Sequence, residues 1–347
     1  MPYWGLKADG TYSIADEEDI FIEYFRKNWD ELLKDIYYKT ELINYGHKFR
    51  PRLVYWGFRA GKRKHLSSDD FDAVSKAAVS MELVHKASTL LDDYIDGDTA
   101  RHGLESFHIT YGPERTMIFS LNILCRALRI INDVFISYID DSSYSKISIK
   151  LVVQTLEDMT LGVLKELDLQ DDFSLIKLVE IQKIMQLETS ALITNSLLIG
   201  FLLSQNTEIT TMELFTEIGN DFGYIFQTLN DMEPFCSKKN NDHKGSLNTD
   251  VSRNRKNICI PFLYVYLTSK EKKEVEKCDI ESRDTLLLQL FEKYSIKQKL
   301  FEEISNVTNN IHTNIDKISS DIVESTWIKD FHVFVDSVIS VSKKRLE

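Results

Sequence analysis

Glu82-Leu-Val-His-Lys-Ala-Ser-Thr-Leu-Leu-Asp-Asp-Tyr-Ile-Asp96, continuing into Gly97-Asp-Thr-Ala-Arg-His-Gly103, is the stretch around which the chain is organised. At 3.6 residues per turn, Asp92 and Asp96 stack on one helix face with Asp93 beside them. Three carboxylates crowded onto one turn repel one another. A bound divalent cation relieves that repulsion at neutral pH, and hard oxygen ligands select Mg²⁺ or Mn²⁺. The residues before the acids (Met81, Leu83, Val84, Ala87, Leu90, Leu91) are apolar, so the spacing predicts a buried helix with an acidic end. The triplet alone also fits a solvated helix end; the flanking residues decide between the two.

Composition narrows the class. With 347 residues and 43% hydrophobic content the chain can bury a substantial core, and no linker divides it. The expected organisation is an irregular arm over 1–14 and a single domain over 15–347. Five prolines and 13 glycines leave room for long helices and few hairpins. A formal charge of −12 argues against a nucleic-acid partner, which needs a concentrated basic face. Cys125, Cys236, Cys259 and Cys278 lack paired spacing, which predicts a reducing compartment and no structural zinc. The N-terminus is polar and acidic, unlike a signal peptide. The apolar run Ala191–Leu203 is short and carries Thr194, Asn195 and Ser196, so it reads as a buried helix, not a membrane span. The expectation is a soluble, cytoplasmic protein with no transmembrane segment.

Periodicity predicts helices over 15–38, 51–61 and 71–96, then about 104–111, 113–138, 143–170, 174–203 and 209–233. A cationic turn, Tyr45-Gly-His-Lys-Phe-Arg-Pro51, precedes the second of these, and its proline suits a helix start. The polar, lysine-rich stretch 236–257 reads as a loop, and a helix from Ile258 with about three more completes the chain. Strand-type alternation is scarce. The predicted fold is all-α.

Taken together, these motifs resemble the trans-isoprenyl diphosphate synthase (polyprenyl synthetase) family from about Tyr45 to Pro261. Five elements match in order: Gly46 to Pro51, Glu82 with His85, the Asp92–Asp96 acids, Arg101 with Gly103, and Phe226-Gln227 ahead of a second acidic site. The resemblance implies an isoprenoid-synthase bundle of antiparallel helices around a deep central cavity, usually as a homodimer. It also implies about three Mg²⁺ ions per site, with Mn²⁺ an alternative, on the diphosphate of an allylic substrate. Asp92, Asp93, Asp96 and Arg101 would then be catalytic. Asp92, Asp96, Asn230 and Asp231 would ligate metal, with Gln227 and Glu233 as helpers. Arg101 and Lys244 would hold the allylic diphosphate; Arg50, His85, His47, Lys48 and His102 fall on the acceptor side. Val84, Ala87 and Ser88 would line the tail pocket, where the lack of an aromatic plug admits a C15 or C20 chain.

The departures from the family are specific. His47 stands at a lysine position and His102 at the second arginine of a pair, each replacing a permanent charge by a weaker one. The second acidic motif reads Asn230-Asp231-Met-Glu233-Pro234, and Glu188-Thr189 replaces a Lys-Thr pair. The leading expectation is therefore a Mg²⁺-dependent prenyltransferase that ionises an allylic diphosphate and uses isopentenyl diphosphate or an atypical acceptor. A terpene cyclase on the same fold is the alternative, and a weakly active regulatory subunit is a lesser one. Phe119, Phe201, Phe222, Tyr224 and Phe226 could stabilise a cation in a cyclase or simply pack the core.

Overall fold

In a computed structural model, which describes residues 16–39, 41–44, 46, 48–62, 66–169, 177–236, 257–318 and 325–346, helix follows helix. The predicted arm over 1–14, His47 and Lys244 lie outside the described residues. Helix α1 (Asp16–Leu32) buries Phe21, Phe25 and Trp29. One turn, α2 (Glu41–Asn44), leads to α3 (Phe49–Gly61), which opens two residues before Pro51. Proline fits a first turn because those positions have no helical partner for an N–H. Two ion pairs clamp α1 to α3: Arg52 Nε to Glu18 Oε1 at 2.6 Å and Arg59 Nε to Glu17 Oε2 at 2.8 Å.

Helix α4 (Ser68–Asp96) carries the acidic stretch. Ser67 and Asp70 form a capping box at its start, and Gly97 ends it in the left-handed conformation with φ 63°. A hairpin of two-residue strands follows, β1 (Ala100–Arg101) against β2 (Leu104–Glu105). Here the sequence predicted helix from about 104. The positive φ of His102 and Gly103 (53° and 76°) turns the chain back before a helix can begin.

Next come α5 (Phe107–Tyr111), α6 (Pro113–Tyr138), α7 (Ser142–Asp168), α8 (Leu178–Met185), α9 (Ala191–Leu203) and α10 (Ile209–Cys236). The stretch predicted as one helix over 174–203 is interrupted by a π-helical turn at Gln186–Ser190, between α8 and α9. Helix α10 runs through Pro234, which the sequence placed just beyond its end. Five helices complete the chain: α11 (Cys259–Tyr264), α12 (Ser269–Lys277), α13 (Ile280–Lys293), α14 (Ile296–Lys317) and α15 (Ser325–Lys343).

Helix α9 is buried from Leu192 to Leu203. The run 178–203 is, by length and composition, apolar enough to cross a membrane, and burial against α3 and α10 accounts for that composition. The α3 and α9 backbones touch at two glycines. A Cβ on Gly200 would lie 1.9 Å from the Val54 carbonyl oxygen, and one on Gly57 would lie 2.0 Å from that of Leu197. Aromatic residues that could have lined a cation pocket pack together instead. Phe119 stacks on Phe107 with ring centroids 5.1 Å apart, and Phe201 meets Phe215 at 5.4 Å.

Candidate active site

Two adjacent residues at the start of α3 bring the acidic helices together. Phe49 packs on Phe226 of α10 with centroids 4.5 Å apart, and Arg50 NH1 donates to His85 Nε2 of α4 at 3.1 Å. His85 lies two turns before the first acids and Phe226 one turn before Asn230. Both acidic stretches therefore lie within about three turns of the α3 start.

At the α4 end the three aspartates differ in environment. Asp92 is exposed, Asp96 half-buried and Asp93 buried. Arg101, on the hairpin, donates to Asp93 and lies 3.5 Å from Asp92. Asp93 Oδ2 is buried without a hydrogen-bond partner. Burial pushes the Asp93 carboxyl up to about 6, although Arg101 pulls the other way. Burial also opposes the Arg101 charge, but Asp93 and Asp92 raise its pKa.

Beneath the acids, charged side chains meet the apolar Leu42, Ile43 and Leu90. Lys86, Thr89, Asp93, Arg101 and His102 line a recess of about 10 Å³, room for about one water. Glu82, fully enclosed, takes Lys48 Nζ at 2.8 Å and lies 3.7 Å from Lys86 Nζ. Burial works against the Glu82 charge, but Lys48, Lys86 and Arg50 hold it below the ordinary carboxylate range. Burial and the neighbouring Lys48 push the Lys86 ammonium down to about 7. Arg50 Nε is buried without a partner, and burial lowers that guanidinium to about 10. His85 is held well below its usual range by burial and then by Arg50, so it is neutral and accepts through Nε2.

Lys48 is engaged inside the bundle. It was placed among the acceptor ligands, but its ammonium is buried, donating to Glu82 and to the Ile43 carbonyl at 3.0 Å, and lies over the Trp29 ring. Its backbone takes φ 52° at the α3 start, which turns the side chain inward. The residue that the sequence reading missed is Lys86. Its signal was present: a lysine inside an otherwise apolar helix, directly after His85.

The second acidic end is partly structural. Asp231 Oδ1 accepts from Gln227 Nε2 at 2.7 Å and Oδ2 from the backbone N–H of Ile258 at 2.8 Å. Its carbonyl accepts Asn257 Nδ2 at 2.8 Å. Asp231, expected to ligate metal, thus has one carboxylate oxygen on Gln227 of its own helix and the other on the residue that begins α11. Gln227 also accepts from Thr189 Oγ1 at 2.9 Å, which ties the π-helical turn to the same network. Asn230 is exposed, and Pro234 has no N–H to give its backbone carbonyl the usual helical bond. Asn230 thus offers neutral oxygens, with Glu233 half-buried nearby in the sequence.

Of the expected tail-pocket residues, Val84 and Ala87 are fully buried and Ser88 is half-buried. Val84 and Ala87 share a helical stripe with Ser80, whose hydroxyl donates to Ala127 of α6 at 2.8 Å. Elsewhere, a cavity of about 280 Å³ lies between α8, α10 and α14, lined by Gln182, Asn220, Asp221, Tyr224 and Glu303 among others. It contains none of the expected site residues.

The polyprenyl synthetase family model matches residues 31–312. The hexaprenyl pyrophosphate synthase of Saccharolobus solfataricus is 26% identical over 249 residues, 71% of this chain and 76% of that protein. The geranylgeranyl diphosphate synthase of the same organism is 22% identical over 231 residues, 64% of this chain and 68% of its own length. Among solved structures, geranylgeranyl pyrophosphate synthetase from Pyrococcus horikoshii superposes with a TM-score of 0.74 at 15% identity, covering 94% of this chain and 99% of that one. Heptaprenyl diphosphate synthase from Staphylococcus aureus gives 0.75 at 18%, covering 92% and 98%. These likenesses carry the all-α isoprenyl-synthase fold, and the family match carries the class. The chain belongs to the polyprenyl synthetase family, whose members are prenyltransferases.

Proposed function

We propose that this protein is a Mg²⁺-dependent prenyltransferase that ionises a C15 or C20 allylic diphosphate and passes the prenyl group to an acceptor. The observation that carries this reading is the α4 end, where Asp92 and Asp96 stand above a recess holding Lys86 and Arg101. The donor set fits Mg²⁺: hard carboxylate oxygens, with Asp93 Oδ2 buried and unpaired behind them. No three acidic or imidazole side chains converge as a cage among the described residues. Asp92, Asp96 and Asn230 would hold the ion, with Asp93 behind; when bound, it neutralises the departing pyrophosphate.

The chain's own groups do the rest. Arg101 uses part of its five-donor fork on Asp93, which leaves donors for a diphosphate oxygen. The allylic C–O bond breaks with its electron pair leaving on pyrophosphate. The acceptor's double bond then forms the new C–C bond, and a proton is lost. Apolar walls keep water from the cation. The cyclase alternative draws little support. The relatives named above are prenyl diphosphate synthases, and the later Ser/Thr and Glu of a cyclase motif would fall at Pro234 and Lys238.

The family's dimeric habit also suits this chain. Helices α6 and α7 present apolar side chains to solvent, with Ile118 68% and Leu164 60% exposed, and Leu121, Ile136, Val153 and Leu161 exposed as well. Exposed stripes of this kind mark protein contacts. A second copy of the chain is the proposed partner, and Ile118→Asp with Leu164→Asp should give monomers by light scattering.

The deciding experiment supplies Mg²⁺ and C10, C15 or C20 allylic diphosphate, each with and without isopentenyl diphosphate, and analyses extracts before and after phosphatase treatment. A longer diphosphate formed only with isopentenyl diphosphate is the expected result. A hydrocarbon or alcohol formed without it would overturn the transferase reading.

A further inference from the structure

Two histidines face each other on helices that carry neither acidic motif. His312 lies on α14 and His332 on α15, and each is followed four residues later by an aspartate, Asp316 and Asp336. Residues four apart share a helix face, so each helix offers one imidazole and one carboxylate to the other. Buried side chains fix both helices: Ile311 and Ile315 on α14, and Phe331, Phe334 and Val335 on α15. Trp327 Nε1 also donates to the Trp56 carbonyl at 2.9 Å, which ties the start of α15 to α3. The four polar side chains sit at the rim of this packing, with the rings 25% and 24% exposed and the carboxylates more so.

Their bonds cross between the helices. His312 Nε2 meets Asp336 Oδ1 at 2.9 Å, and His332 Nε2 meets Asp316 Oδ1 at 2.9 Å. An ionised carboxylate only accepts, so each Nε2 carries the hydrogen and donates it. In a neutral ring that leaves Nδ1 with a lone pair. The two Nδ1 atoms meet at 2.5 Å, with the ring centroids 4.7 Å apart. Two lone pairs so placed repel each other, and two N–H groups would do the same. A cation between the rings satisfies both, as one shared proton or one metal ion. Charge favours the metal: the two carboxylates carry two negative charges, which a divalent ion balances and a single proton does not. Donation of the remote ring N–H to a carboxylate is also the habit of metal-bound histidine, because it fixes the tautomer and makes the ligating nitrogen more basic.

We propose that His312 and His332 bind one divalent transition-metal ion through Nδ1, oriented by Asp336 and Asp316, and that the ion fastens α15 to α14. Imidazole nitrogen suits Zn²⁺, Cu²⁺ or Ni²⁺, whereas the carboxylates Asp92 and Asp96 suit Mg²⁺. A tetrahedral Zn²⁺ with bonds of ~2.0–2.1 Å holds two nitrogens about 3.3 Å apart, so the rings part by roughly 0.8 Å to admit it. Water completes the shell on the solvent side, since no third acidic or imidazole side chain converges there among the described residues. The site is independent of the prenyl-transfer reading above.

The test titrates Zn²⁺ into the full chain by calorimetry, with excess Mg²⁺ present to fill the carboxylate sites. Wild type should bind one equivalent that His312→Gln and His332→Gln lose, while Asp92→Asn with Asp96→Asn keeps it. Asp316→Asn with Asp336→Asn should weaken it roughly ten- to a hundredfold. Zn²⁺ should raise the melting temperature of wild type but not of His312→Gln, whose circular dichroism stays helical. Cu²⁺ bound to wild type should show two nitrogen ligands by electron paramagnetic resonance, a readout that needs no variant. Equal Zn²⁺ binding in wild type and both histidine variants would overturn the assignment. So would a Cu²⁺ spectrum without nitrogen coupling, or no ion bound at all, which would leave the pair holding only a proton.

Discussion

Asp231 on α10 accepts the backbone N–H of Ile258, 27 residues further along the chain, at 2.8 Å. With Asn257 Nδ2 on the Asp231 carbonyl, this bond joins the second acidic end to the start of α11. Asp231, a residue whose type suggests a metal ligand, thus also ties α10 to the start of α11. Asp231→Ala should leave a buried N–H unpaired, at a cost of ~1–3 kcal/mol. The sign to look for is faster amide exchange over 257–264, with much smaller changes in α1 and α3. Protection that stays at wild-type levels there would mean the bond is unimportant.

The first acidic end should behave in the opposite way. Asp92 is exposed and Asp96 half-buried, so replacing both by Asn removes metal-facing charge without opening the core. Asp92→Asn with Asp96→Asn is expected to abolish turnover while circular dichroism keeps its helical signal. Residual activity close to wild type would rule out these carboxylates as metal ligands.

The contact between α3 and α9 makes a stability prediction. Gly200→Ala places a methyl group 1.9 Å from the Val54 carbonyl oxygen, which forces the two helices apart. Overpacking of this sort costs ~1–3 kcal/mol. Thermal unfolding should begin several degrees lower, on the order expected for that loss.

Asp221 lines the second cavity, and burial together with Glu217 raises its carboxyl to about 6. Because its folded-state value lies above the unfolded one, the protonated carboxyl favours folding. That contribution is complete below about pH 4 and is lost as pH rises through about 6. Asp221→Asn, which cannot ionise, should therefore melt higher than wild type at pH 7.5. The difference should shrink at pH 4. Parallel melting curves at both values would show that Asp221 does not titrate in this range.

Ser88 reports the path of the prenyl tail. It is half-buried one turn before Asp92, whereas Val84 and Ala87 are sealed in the core. Ser88→Phe should shift products toward shorter chains by mass spectrometry. An unchanged product distribution would place the tail on another face of α4.

Periodicity and motif order determined much of this protein. The 3.6-residue spacing located α4, α6 and α10, because an amphipathic stripe must face a core whatever its neighbours are. The acids at 92, 93 and 96 declared themselves through mutual repulsion within one turn, which is a local property. Three features had no local signal. The hairpin at 100–105 depended on two positive φ values, and the π-helical turn depended on packing around Gly162, where a Cβ would meet Glu188 at 2.5 Å. The use of each charge depended on what lay across from it. Lys48 and Lys86 read alike in the sequence and both pair with Glu82, but Lys48 lies at 2.8 Å, over the Trp29 ring, whereas Lys86 lies at 3.7 Å and also lines the recess. Sequence spacing fixes which face of a helix a charge occupies; only the packed neighbours fix whether that charge is already satisfied.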